Sequence, residues 1–595
     1  MPGPRFRLFV LFAALMASLP SAIAANMIYV DPSVGSCATY NPTNRNCAGG
    51  NETVFRSIAE ASAAAQAGAI ILIRGGAYNE QINPARSGLP GEPITYQNYP
   101  GEDVFLRGAP AIALSGRHWI VIDGLHAEDT TWLEARNSHS NVVRNCIFKR
   151  TPATGTTGNA RFIQSHHNLI ASNVFESGQD NLVIIDANYN LVIGNTFRQG
   201  RHSLIGIRCG DFNVVRGNYF SNSLQKIAEV YDCGTGTSAV GNSFNSTKHN
   251  VFEDNIFADA SSYYSTSGGN GIQWSGQEGI IRRNVFYDCN VGIGVGVYAD
   301  EALFNYNNRI YHNVFHRNDA CGIALGTGTT NNAFKNNILA ANQGNIPDAF
   351  ATSPGQIIYT LPLSLNARFE NNDVIAQSPG QAVLEQKFAA GITLALFNTA
   401  NPGIFFNTLE ADPQFVDAAA RDFHLRDTSP MIDAGAFLTK TVSAGSGTTM
   451  AVADAFHFYD GFGIAGEVGD LIQLEGQTQT VRILRVDYTN HTLTLDSSLT
   501  WTNGQGLSFP FNGRAPDVGA FEHTFEQTLP ALKTRRDGNA VILTWPSSFN
   551  GFRLEASESL TGPYWQAMPA PVLADNEWTV TTLITGERLF FRLVN

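Results

Sequence analysis

The sequence predicts an all-β solenoid, a parallel β-helix whose short strands stack coil upon coil along one axis. Three observations support this prediction: an eight-residue motif recurs, its spacing is suited to one coil per copy, and a helix-then-strand segment precedes the first copies. Fixed repeats of about 20–50 residues are typical of solenoids, in which each repeat buries its apolar face against its neighbours.

The repeated motif is Asn-φ-φ-x-x-Asn-x-Phe, where φ is apolar, and its clearest copies are Asn168–Phe175, Asn190–Phe197 and Asn213–Phe220. The final apolar residues of successive copies are 23, 27, 22, 23, 37, 29, 29, 24 and 35 residues apart. Two or three short strands with their turns fill the shortest intervals, and the longer ones add loops. The other copies are Asn250–Phe257, Gly279–Phe286, Asn308–Phe315 and Asn332–Leu339, and the weaker ones are His118–Leu125, Asn141–Phe148 and Ala367–Val374.

Each position of the motif has a predicted structural role. The Phe points into the coil and stacks on the Phe of the next coil, while the second Asn occupies a corner, where it tolerates left-handed dihedral angles. In the weak copies, Asp123 and Cys146 replace this Asn. A β-sandwich with Asn-rich turns would not hold Asn and Phe in one phase over ten units. The predicted corner stack consists of Asn173, Asn195, Asn218, Asn255, Asn284, Asn313, Asn337 and Asn372.

The segment before the repeats carries a family resemblance. Phe55–Ala61 has a helical pattern, Ile70–Ile73 reads as the first strand, and Ser87–Gly108 reads as the second coil. Together with the repeats, this pattern resembles the pectate lyase-like superfamily of right-handed parallel β-helices, over residues 27–435. The resemblance implies a helix that caps the apolar end of the stack. It also implies a groove that acts on polysaccharide, although such motifs are specific for fold and weak for activity.

The C-terminal third predicts two further β domains. Alternating apolar runs between 440 and 512, separated by Gly and Asp turns, suggest a small inserted β-barrel. The last segment resembles fibronectin type III-like modules and contains Trp545, Trp565 and Trp578, which are residues typical of a core. The predicted organisation is a signal peptide at 1–24, a β-helix at 25–435, an inserted β domain at 436–514, the end of the β-helix at 515–526 and a C-terminal β-sandwich at 527–595.

The first residues indicate export. Arg5 and Arg7 precede the apolar run Leu8–Leu19, which ends in the small-residue site Ala22–Ala24. This pattern predicts a cleaved signal peptide, since the run is shorter than the about 20 residues that cross a bilayer. We therefore expect a periplasmic or extracellular protein with no transmembrane segment in the mature chain.

Charge and cysteine content limit the partners. A net charge of -13 argues against nucleic acid, but an acidic protein can bind an acidic polymer if cations line one groove. Among seven cysteines, Cys37 and Cys47 bracket a short loop and are the expected disulfide, and no zinc-binding spacing occurs. We expect a monomer whose partner is a polysaccharide. Cys209 and Cys233 are expected to lie beside each other on successive coils.

Residues 199–233 hold an unusual density of ionisable groups on two adjacent coils. A coil offset of 24 residues would place Arg208 beside Asp232, Cys209 beside Cys233 and Ile207 beside Tyr231. With Ile205 facing inward, Leu204 would face outward. The predicted catalytic residues are His202, Arg208, Lys226, Glu229, Tyr231 and Asp232, and the predicted substrate-binding residues are Arg161, Gln164, Asp186, Gln273 and Trp274.

These groups suit β-elimination from a uronate polymer, in which a base removes the proton α to a carboxylate that a cation or metal neutralises. Glu229, Asp232 and Asp186 could supply oxygen ligands for Ca²⁺. A glycoside hydrolase with two carboxylates, Glu229 and either aspartate, is the alternative enzyme. A carbohydrate-binding adhesin without catalysis is the third interpretation. A coil-to-coil salt bridge between Arg208 and Asp232 would be a purely structural role.

Overall fold

The computed structural model of the chain describes residues 26–151, 159–231, 247–260, 269–296, 305–326, 329–342, 355–359, 367–376, 384–386, 391–524, 532–538, 540–547, 552–557, 565–574, 577–583 and 589–594. The chain divides into a first unit, Met1–His523, and a second unit, Thr524–Asn595. The predicted signal peptide, 1–24, lies outside the described residues.

Most of the first unit is a parallel solenoid, because each coil contributes one short strand in turn to sheets 1, 2 and 3. Among the described residues, sheet 1 contains Cys37–Tyr40, Glu52–Phe55, Met27–Val30, Ile70–Ile73, Ile94–Asn98, Ile120–Asp123, Val142–Arg144, Leu169–Ala171, Leu191–Ile193, Val214–Arg216, Val251–Glu253, Ile280–Arg282, Arg309–Tyr311, Ala333–Lys335, Arg368–Glu370 and Phe405–Phe406. Sheet 2 contains Gly76–Tyr78, Val104–Leu106, His126–Glu128, Ile147–Lys149, Val174–Glu176, Thr196–Arg198, Tyr219–Ser221, Ile256–Ala258, Val285–Tyr287, Val314–His316, Ile338–Ala340 and Asp373–Ile375. Sheet 3 contains Ile112–Ala113, Leu133–Arg136, Ala160–Ile163, Asp180–Ile185, Ser203–Arg208, Lys226–Tyr231, Asn270–Trp274, Val291–Val295, Cys321–Leu325, Ile357–Tyr359, Leu384–Gln386 and Gly391–Ile392.

The interior confirms the predicted stacks. From Phe148 to Phe315 the repeated rings lie face to face, with centroids 4.7–5.1 Å apart. From Asn173 to Asn372 each side-chain amide donates to Oδ1 of the Asn on the next coil at 2.9–3.1 Å. These bonds satisfy polar groups that would otherwise be buried without partners. The first Asn of the motif forms a second ladder, which includes Asn141, Asn168, Asn190, Asn213 and Asn250.

Two details of the motif differ from prediction. The left-handed residue at the corner is the one before the ladder Asn, as at Ser172 (φ 56°) and Asn336 (φ 55°), so the Asn itself is placed by its hydrogen bonds. Asp123 pairs in register with Arg144 and does not join the ladder. Cys146 does occupy the ladder position, since its backbone N–H donates to Oδ1 of Asn173 at 2.9 Å.

The N-terminal end is capped as predicted. The helix Ile58–Ala64 begins after Ser57, whose hydroxyl accepts the backbone N–H of Glu60 at 3.1 Å. Ile58 lies in the same apolar cluster as the coil interior, so the helix closes the stack. The predicted Cys37–Cys47 disulfide is present. A second helix spans Leu394–Ala400, and a short hairpin pairs Phe415–Asp417 with Asp422–Leu425 around the 3₁₀ turn Ala418–Ala420.

The segment between 439 and 508 folds as a six-stranded antiparallel barrel. A bridge between Thr441 and Val452 brings its first two strands together and closes the sheet. This barrel packs on the outer face of sheet 1, where Leu191, Val214 and Val251 join its apolar core. Its strands are Thr439–Lys440, Gly445–Ala451, Leu471–Leu474, Thr480–Asp487, Thr492–Trp501 and Gly506–Ser508.

The second unit contains two antiparallel sheets around a core that includes Leu543, Trp545 and Val580. Trp545 is fully buried, as expected of a core residue. The fibronectin type III-like assignment stays a prediction. The described strands are Lys533–Asp537, Ala540–Pro546, Glu577–Leu583 and Val572–Ala574 in one sheet, and Gln566–Ala567, Arg553–Ser557 and Phe590–Val594 in the other.

Candidate functional site

The outer faces of the three sheets differ in what covers them. The barrel covers sheet 1, and the segments around Phe415, Phe423 and Val518 pack on the outer residues of sheet 2, such as Val314 and Ile338. Among the described residues of the first unit, no comparable apolar cluster covers the outer face of sheet 3. This face is therefore the candidate groove, which we call the sheet 3 groove.

Three rows of outward side chains cross the sheet 3 groove in register. Paired residues of parallel strands point to the same side of a sheet, so each row presents its side chains side by side. The first row is Asp180, Ser203, Lys226 and Asn270; the second is Glu134, Arg161, Val183, Gly206, Glu229 and Gln273; the third is Arg136, Ile163, Ile185, Arg208 and Tyr231.

The register corrects the predicted coil offset. Arg208 pairs with Tyr231 and Ile207 with Val230, an offset of 23 residues, so the predicted pairing of Ile207 with Tyr231 is wrong. Leu204 also points into the core beside Ile205, although it was expected to face outward. Two consecutive inward residues break the strict alternation of a strand. This irregularity leaves the residues on either side of the pair, Ser203 and Gly206, on one face.

A buried aspartate and a partly exposed histidine lie at the edge of the groove where the sheet 3 strands begin. Nδ1 of His202 lies 2.7 Å from Oδ1 of Asp180, which also accepts the hydroxyl and backbone N–H of Ser203 at 3.0 and 3.1 Å. The side chain of His202 is 34% exposed, whereas that of Asp180 is 6% exposed. The aspartate therefore fixes one ring nitrogen and leaves the ring reachable from solvent.

The contact between His202 and Asp180 shifts their pKa values in opposite directions. The hydrogen bond to Asp180 raises the pKa of His202, against the effect of burial, and the charge of Glu229 adds to the increase. Burial would raise the pKa of Asp180, but hydrogen bonds from His202 and Ser203 outweigh it and lower that pKa. The pair is thus an imidazole that a carboxylate orients and makes more basic. Sequence reasoning missed Asp180, although it lies one coil before His202.

Lys226 and Glu229 lie against this pair. Their side chains form an ion pair across three residues of one strand, and Oε2 of Glu229 is 3.8 Å from Nδ1 of His202. The two inward residues between them, Ile227 and Ala228, place both charges on the outer face. We call Asp180, His202, Lys226 and Glu229 the histidine cluster. The structure brings together three predicted catalytic residues there.

Arg208 and Tyr231 lie at the opposite edge of the groove. The guanidinium carbon of Arg208 is 5.7 Å from the ring centroid of Tyr231, within reach of a cation–π contact. Tyr231 lies five positions after Lys226 on the same strand. At about 3.3 Å per residue, this separation is about 16 Å. The six predicted catalytic residues therefore do not form one centre, and these two can contact only a different part of a long ligand.

The predicted binding residues take three different positions. Arg161 forms an ion pair with Glu134 at 2.8 Å on the outer face, and Gln273 lies beside Glu229. Gln164 donates to Asp186 at 3.3 Å at the corner where the strands end. The groove thus has polar residues on both sides of the histidine cluster.

Trp274 does not belong to the groove. It is fully buried in the solenoid core, and its indole N–H donates to Oδ1 of Asn308 at 3.0 Å. The prediction that it binds substrate is wrong, because its position in the strand points inward. It fills the space beside Gly279, where this coil lacks the first Asn of the motif.

The remaining predictions for this region concern Asp232, Cys233 and calcium. Both residues lie outside the described ones, while Cys209 is disulfide-bonded. Among the described residues, no group of three or more His, Cys, Asp or Glu side chains is arranged to hold a metal ion. Glu229 contacts Lys226, whereas Asp186 contacts Gln164 at the corner, so these carboxylates do not converge. The predicted Ca²⁺ site also includes Asp232 and stays a prediction.

The stacked coils of three parallel sheets define this chain as a right-handed parallel β-helix protein. Residues 239–396 match the family described as the right handed beta helix region. The uncharacterized protein YwoF of Bacillus subtilis (strain 168) is 25% identical over 488 residues, which cover 71% of this chain and 98% of YwoF. No helix in the described part of the chain is long and apolar enough to cross a membrane.

Solved structures with similar folds include two lyases and a glucanase. Pectate lyase Pel9A is 15% identical with a TM-score of 0.40, and the match covers 84% of this chain and 98% of Pel9A. The family PL6 alginate lyase AlyGC is 16% identical, with a TM-score of 0.33 and coverage of 56% and 52%. The catalytic domain of a family GH87 α-1,3-glucanase is 12% identical, with a TM-score of 0.32 and coverage of 57% and 64%.

Proposed function

We propose that this chain is an exported polysaccharide lyase that cleaves a uronate-containing polymer by β-elimination in the sheet 3 groove. One observation carries the proposal: the outer face of sheet 3 holds a histidine oriented by a buried aspartate, with a lysine in the same cluster. A base and a cation are the two groups that abstraction of a proton α to a carboxylate requires.

The proposed reaction uses His202 as the base. With Nδ1 bonded to Asp180, Nε2 of the neutral ring removes the proton on the carbon next to the carboxylate. The electron pair forms a carbon–carbon double bond, the glycosidic C–O bond on the next carbon breaks, and the departing oxygen takes a proton from solvent. Lys226 neutralises the carboxylate as charge develops, and Glu229 holds the ammonium in position. Arg208 and Tyr231, about 16 Å away, bind another part of the polymer.

A glycoside hydrolase remains the alternative, because Asp180 and Glu229 both lie against His202, at 2.7 and 3.8 Å from Nδ1. Hydrolysis needs one carboxyl that stays protonated as a general acid, and therefore a raised pKa. The pKa of Asp180 is lowered instead. Asp180 is consequently not suited to the role of general acid in hydrolysis.

The proposal is tested with a panel of uronate and neutral polysaccharides, measuring both the ultraviolet absorbance of unsaturated uronate and new reducing ends. We expect absorbance with at least one uronate polymer, and a loss of about 10²–10⁴-fold in kcat/KM for His202→Ala, the usual contribution of a general base. The matched control is His424→Ala, because His424 makes the same 2.7 Å contact to an aspartate, Asp422, at a different place.

Each other outcome contradicts the proposal in a defined way. Reducing ends without absorbance would identify a hydrolase. Retention of a polymer without either signal would identify a non-catalytic binder. Equal losses in His202→Ala and His424→Ala would show that the groove histidine has no specific role. N-terminal sequencing of the exported protein, expected to begin near Ala25, tests the predicted signal peptide separately.

A further inference from the structure

A cavity lies between the barrel and the outer face of sheet 1, away from the sheet 3 groove. Its volume is about 430 Å³, within the range of about 300–1,000 Å³ that is usual for small-ligand pockets. The residues that matter most for its chemistry are Arg309, Ala333 and Arg368 from sheet 1 and Asp454, Phe456 and His491 from the barrel. We call this cavity the barrel pocket.

The outer row of sheet 1 changes character at the barrel pocket. Leu191, Val214, Val251 and Ile280 occupy four successive coils of this row and pack against the barrel core. The next three coils carry Arg309, Ala333 and Arg368 in the same register. The apolar interface therefore ends, and the small Ala333 leaves space between two arginines.

The charges around the pocket leave an excess of one cation. Arg309 pairs with Asp454 at 2.8 Å, while Arg368 and Lys335 share Glu370 at 3.3 and 3.2 Å. Among the residues that line the pocket, the two arginines thus accompany a single carboxylate, that of Asp454. The Arg368 side chain is 52% exposed, and its guanidinium stacks on Phe406 at 4.1 Å, so its planar donor edge is held at the pocket. An arginine in this arrangement can bind a carboxylate through two parallel hydrogen bonds.

Other groups in the pocket suit hydroxyls and an apolar ring. Asn307 and Asn331 line it from left-handed corner positions (φ 56° and 54°), and side-chain amides both donate and accept hydrogen bonds. Nδ1 of His491 accepts the N–H of Ala455 at 3.2 Å, which leaves Nε2 of the neutral ring as a donor. Phe456 supplies an apolar wall.

We propose that the barrel pocket binds a small carboxylate-bearing sugar, a monouronate or the uronate end of a short oligosaccharide. The inference that the ligand is a sugar rests on the proposed function, because a uronate lyase releases such fragments. The inference that it bears a carboxylate rests on the excess cation and on Arg368. The barrel would then contribute a product-binding or end-binding site that the solenoid lacks.

Calorimetric titration of the full-length protein with galacturonate and glucuronate tests this proposal, with galactose and acetate as the neutral and the non-sugar probes. We expect one site for a uronate, binding at least tenfold tighter than either comparison probe. Arg368→Ala and the pocket-filling Ala333→Leu should each weaken it at least tenfold. The matched control is Arg317→Ala, which removes a 60% exposed arginine paired with Asp288 at 3.2 Å.

His202→Ala separates this site from the groove. If Arg368→Ala removes uronate binding and His202→Ala leaves it intact, the result supports the barrel pocket. This holds even if the panel of polymers shows no cleavage. Loss in His202→Ala with retention in Arg368→Ala would place the uronate in the groove and overturn the proposal. Equal binding of acetate, or no binding of either uronate, would also overturn it. Thermal unfolding of each variant identifies any loss caused by misfolding.

Discussion

The outer faces of sheets 1 and 3 both carry clustered charges, but the two clusters are built differently. On sheet 1, Arg282 contacts Glu253 and Asp470 at 2.6 Å, and its side chain is only 1% exposed beneath the barrel. On sheet 3, His202 is 34% exposed and Arg208 is exposed. Charge density alone therefore does not distinguish a structural network from a functional site. Among the described residues, the distinguishing feature is that the barrel buries the sheet 1 cluster, whereas His202 and Arg208 on sheet 3 are reachable from solvent.

The two clusters also differ in how their residues are spaced along the sequence, so only the sheet 3 cluster could be predicted from it. His202, Lys226 and Glu229 lie within 199–233, a stretch with an unusual density of ionisable groups. Arg216, Glu253 and Arg282 supply one charge per coil at paired positions and are therefore scattered along the sequence. Only the stacked register brings them together. Charged residues that lie close together in space can thus be close together or far apart in the sequence.

The largest effect that we predict comes from breaking the covered cluster. Arg282→Ala leaves Glu253 and Asp470 buried beside each other without their shared cation, and should lower the free energy of unfolding by about 3–5 kcal/mol. Denaturant unfolding of the full chain measures it. The matched control Arg198→Ala removes a 44% exposed arginine paired with Glu176 and should cost about 0–1 kcal/mol. Equal costs for the two variants would refute the distinction between a covered and a solvent-exposed arginine.

A smaller loss in the free energy of unfolding is expected for a substitution on the outer face of sheet 3. Lys226→Ala removes the ammonium bonded to Glu229, but His202 remains 3.8 Å from that carboxylate as a second partner. We expect a loss of about 1.5–3 kcal/mol, the usual worth of a hydrogen bond to a charged group. The same denaturant measurement applies. A loss as large as that of Arg282→Ala would show that Lys226 is chiefly structural, and retained turnover would remove it from the mechanism.

The smallest predicted change is in how the free energy of unfolding depends on pH. Because its pKa is raised in the folded protein, protonated His202 stabilises the fold. This contribution is fully present below the unfolded pKa of about 6.5 and is lost as the pH rises through the folded pKa. The lowered pKa of Asp180 stabilises the fold above about 3.8, and this contribution is lost as pH falls. The pair therefore contributes most between these values, and Asp180→Asn should flatten the stability profile there.

The same substitution should shift the activity profile. A general base must be neutral, so kcat/KM of the wild type should rise with pH through a midpoint above 6.5. In Asp180→Asn the midpoint should move down towards the ordinary histidine value, with a lower plateau because the ring loses its orientation. Activity measured from pH 5 to 9 checks this. An unchanged midpoint would show that the titrating group is not His202.

Much of the fold could be predicted because its signals are local and repeated. The ladder from Asn173 to Asn372 and the stacked rings from Phe148 to Phe315 follow from one motif, since a buried amide needs a partner and a planar ring stacks on its copy. The Cys37–Cys47 disulfide followed from its short loop. His202, Lys226 and Glu229 were predicted from their density, although their mutual contacts were not.

The sequence by itself determined the coil, its interior and the stretch that carries the charged groove. Only the tertiary structure decided the register, since the inward pair Ile227 and Ala228 breaks the alternation that a strand pattern assumes. It also decided which face is covered, because the contact of Arg282 with Asp470 joins residues 188 positions apart. Such a contact depends on how a separate barrel docks on the solenoid, and no local pattern in either segment specifies it.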